Sequence, residues 1–163
     1  MSIPSAGRAA LAIAAMFSAA VTVPASAAGE TLVPLRSMFR TCDFTAINNG
    51  AAPAQSDAAV SAVVRKNGGT VSAEVHLSEP TSPGTHFNVS LIQAPRASSA
   101  PCYAPGPGVA VGSLDTDGAG QASTTVQDGI RSGTTGVWVF VQRPNPYSQS
   151  PMEYYTSDYL VPV

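Results

Sequence analysis

Between Ala59 and Leu77 apolar and polar positions alternate with a period of two. Val60, Ala62 and Val64 interleave with Ser61, Val63 and Arg65, and beyond Asn67-Gly68-Gly69 the residues Val71, Ala73, Val75 and Leu77 interleave with Ser72, Glu74 and His76. Successive side chains of a strand point to opposite faces, so this pattern gives two strands, each with one apolar face. Asn and Gly tolerate the positive φ of a tight hairpin turn, and the pair between two alternating runs predicts a β-hairpin. A helix competes for the first arm, with Ser56 as N-cap, an apolar stripe of Ala59, Val60, Val63 and Val64, and Gly68 as C′ residue. The β-branched content of the run, and its lack of Leu, Glu and Gln, favour the strand.

The same period recurs along the chain. Leu32 to Pro34 reads as an extended lead-in and Arg36 to Phe44 as a first strand, followed by a loop from Asn48 to Pro53. After the Pro80–Gly84 turn, Thr85 to Gln93 places Phe87, Val89 and Leu91 on one face. Ala94 to Gly108 is rich in Pro, Gly, Ser and Ala and has no periodicity, a long loop that needs a tether or a function. Val109 to Val126 reads as a second hairpin turning at Asp115–Gly120. Gly136 to Arg143 carries Trp138 and Phe140 on one face and Val137, Val139 and Val141 on the other, which fits a central strand covered twice or an aromatic exposed for binding. Pro144 to Pro151 is a loop whose prolines lack the ladder donor, and Tyr154 to Val161 is a last strand.

About eight short strands separated by turn signals predict an all-β antiparallel sandwich, Ig-like in architecture, with a small closed barrel as the runner-up. The strands are too short, and their outward faces too polar, for an outer-membrane barrel.

The first residues follow a different pattern. Arg8 precedes an apolar run from Ala9 to Val23, Pro24 breaks it, and Ala25-Ser26-Ala27 forms an A-x-A cleavage site, the order of a secretory signal peptide. The run is roughly fifteen residues, short of the ~20 needed to span a bilayer. No twin arginine precedes it, so the general secretory route is expected. The first cysteine, Cys42, is too far from the cleavage site for lipidation. Residues 1–27 are thus a leader and 28–163 a single β-sandwich domain, with no transmembrane segment after processing. A domain of that length buries roughly two thirds of its unfolded surface, enough for a real core.

Composition narrows the function classes. Without Arg8, seven basic residues stand against ten acidic ones, a formal charge of about −3, which excludes a polybasic nucleic-acid or anionic-lipid binder. Cys42 and Cys102 in an exported chain most simply form one disulfide, though free thiols or intermolecular pairing stay open. The bridge would close a loop of about sixty residues, worth roughly 4 kcal/mol by chain entropy.

Candidate chemistry is sparse. Asp115-x-Asp117-Gly118-x-Gly120 invites a calcium reading, but Ala119 and Gly120 occupy the fifth and sixth loop positions and no bidentate Glu follows, so it reads as an Asp/Gly turn. His76 and His86 lack zinc-ligand spacing and fall on polar strand faces, where a solvated imidazole is the expectation. They meet only if their strands are neighbours. There is no G-x-S-x-G elbow, and Gly106-Pro107-Gly108 has no following Lys-Ser or Lys-Thr to cradle phosphate. Glu74, Glu79, Asp128, Glu153 and Asp158 cannot be paired from sequence, so a carboxylate dyad is neither supported nor excluded. Asn88-Val89-Ser90 is a glycosylation sequon in form. No catalytic residue, metal site or cofactor is expected. Tyr147, Tyr154, Tyr155 and Tyr159, beside Pro144, Pro146, Pro151 and Met152, form the candidate binding patch, since Tyr and Met give large contact area at low entropic cost. The competing reading has Tyr155 and Tyr159 filling the inward face of an edge strand while Tyr147 closes a loop.

Lys66 is the single lysine beside seven arginines, a bias that GC-rich coding produces. The segments 88–96 (Asn88-Val89-Ser90-Leu91-Ile92-Gln93-Ala94-Pro95-Arg96), 114–120, Trp138-Val139-Phe140-Val141 and Tyr155-Thr156-Ser157-Asp158-Tyr159 resemble small exported actinobacterial proteins, mycobacterial ones among them. The resemblance covers most of the mature chain and implies a signal peptide, one cysteine pair and a β-sandwich. It implies no activity. The expectation is therefore a secreted or cell-envelope, non-enzymatic protein acting as a structural component or a binding module, its partner an envelope component or a protein. The alternative is an enzyme whose site is assembled from residues remote in sequence, around His76 and His86.

Overall fold

The computed structural model describes residues 29–47 and 58–163. The expected leader, the loop at Asn48 and the helix cap at Ser56 lie outside the described residues. Among the described residues nine antiparallel strands follow one another: β1 (Glu30–Arg36), β2 (Ala59–Asn67), β3 (Thr70–Ser78), β4 (His86–Ala94), β5 (Val109–Asp115), β6 (Gln121–Gly129), β7 (Gly136–Arg143), β8 (Glu153–Ser157) and β9 (Val161–Pro162). They form a single hydrogen-bonded path, β5-β4-β7-β8-β1-β2-β3-β6, with β9 beside β7. The halves on either side of the β8–β1 junction enclose one core, so the all-β antiparallel fold expected from the alternation is the fold observed. The two ends of the path, β5 and β6, lie side by side, which makes the sheet nearly a barrel. Gly112 permits this approach, because a Cβ there would stand 2.9 Å from Val126 Cγ2.

The β2–β3 hairpin is in the expected register, with Asn67 opposite Thr70 and Val60 opposite Leu77, and Gly68 has φ +58°. Its inward residues Val60, Ala62, Val64, Val71, Ala73, Val75 and Leu77 join Val33, Phe87, Val89, Leu91, Val137, Val139 and Val141 in the main core. Burying a side chain of this size contributes roughly 1.5–3 kcal/mol, and the alternation supplies one at every second position.

Three expected elements are corrected. The first strand is Glu30–Arg36, not Arg36 to Phe44. From residue 41 the chain turns, held by Thr41 N bonding Thr45 O and by the Asp43 carboxylate accepting from Thr45 N, so Cys42 sits in a turn. Val109 to Val126 is not a hairpin. β5 ladders with β4 and β6 with β3, and the Asp-Gly turn carries the chain between the two halves. Tyr154 to Val161 is two strands, since Asp158 N bonds Pro34 O and draws the chain towards β1. Across this interruption Ser157 Oγ accepts the Val139 amide at 2.9 Å in place of a backbone carbonyl.

Both faces of β7 are covered. Trp138 and Phe140 turn away from the main core into a second cluster with Ile92, Val109, Cys42 and Cys102, and with Phe39, Phe44, Tyr154 and Leu160 at its margin. Residues 37–47 and 95–108 form this cover, joined by the Cys42–Cys102 disulfide, whose Cα atoms are 5.7 Å apart. The Pro-rich loop is organised from within: the Arg96 guanidinium donates to the carbonyls of Pro101 and Pro107. That satisfies polar backbone which a sheet cannot reach.

Candidate functional site

Antiparallel pairing gathers one set of ionisable residues at one end of the molecule. The ends of β3, β5 and β7 and the starts of β4, β6 and β8 coincide there, bringing together Glu79, His86, Asp115, Asp117, Arg143 and Glu153. The opposite end is built around buried Gln93. Its amide binds Asp128 and the Gly129 carbonyl, and its oxygen accepts from Arg131 N and Thr134 Oγ1, a structural knot with every polar atom engaged.

At the acidic end two carboxyl groups point inward. Glu79 extends the inward parity of Val75 and Leu77, and Glu153 shares its face with Tyr155; they are 3% and 7% exposed. Ser82 Oγ donates to Glu79 Oε1 at 2.9 Å and Tyr155 OH donates to Glu153 Oε1. Glu153 is near enough to act on the Glu79 carboxyl, and Glu79 Oε2 receives no protein N–H or hydroxyl donor among the described residues. Burial pushes the Glu79 carboxyl above the usual carboxylate range and Glu153 adds to this, while Ser82 and Arg143 oppose it. Nothing in the sequence pairs these two residues directly. The usable signal was parity: an acidic residue at an inward position just beyond a strand end, in Leu77-x-Glu79 and Glu153-x-Tyr155.

Outside the core, the same end carries a groove of about 680 Å³ across β2, β3, β6 and the β5–β6 turn. Register places Ser61, His76 and Ser123 on one outward rung and Ala59, Ser78 and Gln121 on the next. Gln121 Nε2 donates to Ser78 Oγ at 2.6 Å. Asp115 and Asp117 complete the lining. Asp117 Oδ1 accepts from the amides of Ala119 and Gln121, bonds that lower its pKa, so this carboxylate serves the turn. Asp115 faces His86. The Asp-x-Asp-Gly segment is thus a turn whose carboxylates diverge, and among the described residues no three His, Cys, Asp or Glu side chains converge.

Both histidines are half exposed and have carboxylate partners. His86 Nδ1 lies 2.7 Å from Asp115 Oδ1, and Nε2 lies 3.2 Å from Asn88 Oδ1. The Asp115 contact, with Asn88 helping, raises the His86 pKa and so favours the protonated ring. His76 Nε2 is 3.3 Å from Glu74 Oε1, and Arg65 binds the other Glu74 oxygen and lowers the Glu74 pKa. β3 and β4 are not neighbours in the sheet, so the pairing of His76 with His86 across adjacent strands does not occur. Asp115 is bonded to His86 and lines the groove with His76.

The four tyrosines of the expected patch are dispersed. Tyr147 is 96% exposed on the β7–β8 loop. Tyr154 packs edge-on against Phe39 at 5.2 Å, on the outer face of β8. Tyr155, its strand neighbour, points the other way and is 4% exposed within the main core. Tyr159 is partly exposed and its hydroxyl donates to Leu32 O at 2.8 Å. Alternation separates adjacent tyrosines to opposite faces, so they do not make one surface. Comparison with protein-family models, curated proteins and solved structures finds no match to this chain.

Proposed function

We propose that this protein is an exported, non-enzymatic binding module of the cell envelope or extracellular space, and that the polar groove is its contact surface. The observation that carries the reading is the groove itself. Hydroxyl, amide, imidazole and carboxylate groups from four separate segments line one concavity on the β2–β3–β6 ladder. Such a lining suits a ligand rich in hydroxyl groups, a glycan of the envelope being the natural class, because each group offers a hydrogen bond to a neutral polar partner. Export is supported by the Cys42–Cys102 bridge, since disulfides persist in oxidising compartments.

The enzymatic alternative has the Glu79–Glu153 pair as its one specific observation. Burial argues against it, because neither carboxyl is open to a substrate. His86 is already engaged with Asp115 and Asn88 and does not line the groove. Retention of the secreted protein on insoluble cell-wall polysaccharide tests the reading. The double variant His76→Ala/Gln121→Ala is expected to weaken retention tenfold or more, with Tyr147→Ser unchanged. Equal retention by wild type and double variant would remove the groove as the contact surface.

A further inference from the structure

We infer that Glu79 and Glu153 hold one proton between them, and that this proton keeps the acidic end of the sandwich shut. Its loss loosens the β5–β6 turn and, with it, one wall of the groove. The geometry leads there step by step. Two carboxyl groups from different elements are buried at this end and act on one another, and each has one oxygen that accepts from a hydroxyl, Ser82 on Glu79 and Tyr155 on Glu153. Glu79 Oε2 is buried with no protein donor, so a proton on the contact with Glu153 satisfies it where two bare carboxylates would repel.

Charge agrees. Arg143 lies on the rung opposite Glu153 and is the cation facing the pair, while Tyr155 is the remaining titratable neighbour. One proton on the two carboxyls leaves one negative charge against Arg143. Removing it leaves a second, uncompensated charge in a closed site. The mechanical link is short. Glu79 N bonds Gly120 O at 2.7 Å, and a Cβ on Gly120 would stand 2.0 Å from Glu79 O, so these two backbones are in close contact. Ser78 and Gln121, the residues flanking that contact, are groove walls bonded to each other. Displacement of Glu79 therefore reaches the groove through one backbone bond. This inference does not require the groove to have a ligand.

The test uses the oxidised full chain. Carbon-13 NMR of the Glu side-chain carboxyls across pH is expected to show Glu79 titrating above the ordinary carboxylate range. Amide hydrogen exchange, corrected for its intrinsic pH dependence, is expected to show protection at Glu79 falling tenfold or more as Glu79 ionises. In Glu79→Gln the amide still donates to Glu153 but does not titrate, so protection there should be flat with pH. Glu79 titrating in the ordinary range, or the same pH-dependent fall in Glu79→Gln, overturns the inference. Should that variant fold poorly, Glu153→Gln serves in its place. Loss of the neighbouring charge should move the Glu79 titration downward, and an unmoved titration would count equally against the shared proton.

Discussion

A methyl group at Gly120 would meet the Glu79 carbonyl oxygen at 2.0 Å, and the residue has φ +74°, where an L side chain is strained. Gly68 shares the positive φ, yet nothing lies within 4 Å of its hypothetical Cβ. The two positions separate backbone strain from steric contact. Gly68→Ala should cost roughly 1 kcal/mol, the strain alone, while Gly120→Ala should cost about 3 kcal/mol or more because main chain cannot rotate out of the way. Denaturant titration of the two variants measures the difference, and equal losses would mean that β3 and β6 part easily at that end. Phe44 is the comparable case outside glycine. Its φ of 71° is strained, and its ring lies against Trp138 at 5.5 Å under the Arg40 guanidinium at 4.0 Å, contacts that oppose the local cost.

Among elements, the β4–β5 ladder carries an ion pair on an outward rung, His86 opposite Asp115. The folded-state pKa of His86 is raised, so the stabilisation is fully present below the unfolded histidine pKa and is lost as pH rises through the folded value. Both groups are largely solvated, which limits the effect to about 0.5 kcal/mol. Asp115→Asn should therefore be slightly less stable than wild type in mild acid and indistinguishable in mild alkali, with the His86 NMR titration moved downward. A gap that grows with pH would contradict the assignment. Strands were legible in the sequence wherever one face is buried and the other wet, as in β2 and β3, because period-two alternation reports burial directly. Partner choice was not. Val109–Asp115 and Gln121–Gly129 alternate around a good turn whether they bond each other or bridge the two halves, and here contacts distant in sequence decide. The same limit hid the Glu79–Glu153 pair, since parity places each carboxyl inward but only the strand order brings the end of β3 and the start of β8 to the same end. It also made four tyrosines near in sequence look like a patch, when β8 sends Tyr154 and Tyr155 to opposite sides.

For the whole molecule, the disulfide acts on a layer that the main core does not need. The main core is made by strands alone, whereas the second cluster is covered by two irregular segments that Cys42 and Cys102 tie together. Chain entropy gives the bridge roughly 4 kcal/mol against global unfolding. Its local effect is distinct: without it, residues 37–47 keep the Thr41–Asp43 turn and the packing of Phe39 and Phe44, and residues 95–108 keep the Arg96 bonds, but nothing covalent holds the two segments over β7. Cys42→Ser/Cys102→Ser is thus expected to lower the unfolding midpoint and also to admit water to Trp138, which is fully buried in that layer. Under native conditions the tryptophan emission should shift to the red while amides of the β2–β3 hairpin stay protected, because their ladder and inward side chains belong to the other core. An unshifted emission would mean that the aromatic contacts hold the cover without the bridge. Loss of hairpin protection together with the shift would mean that the two cores unfold as one.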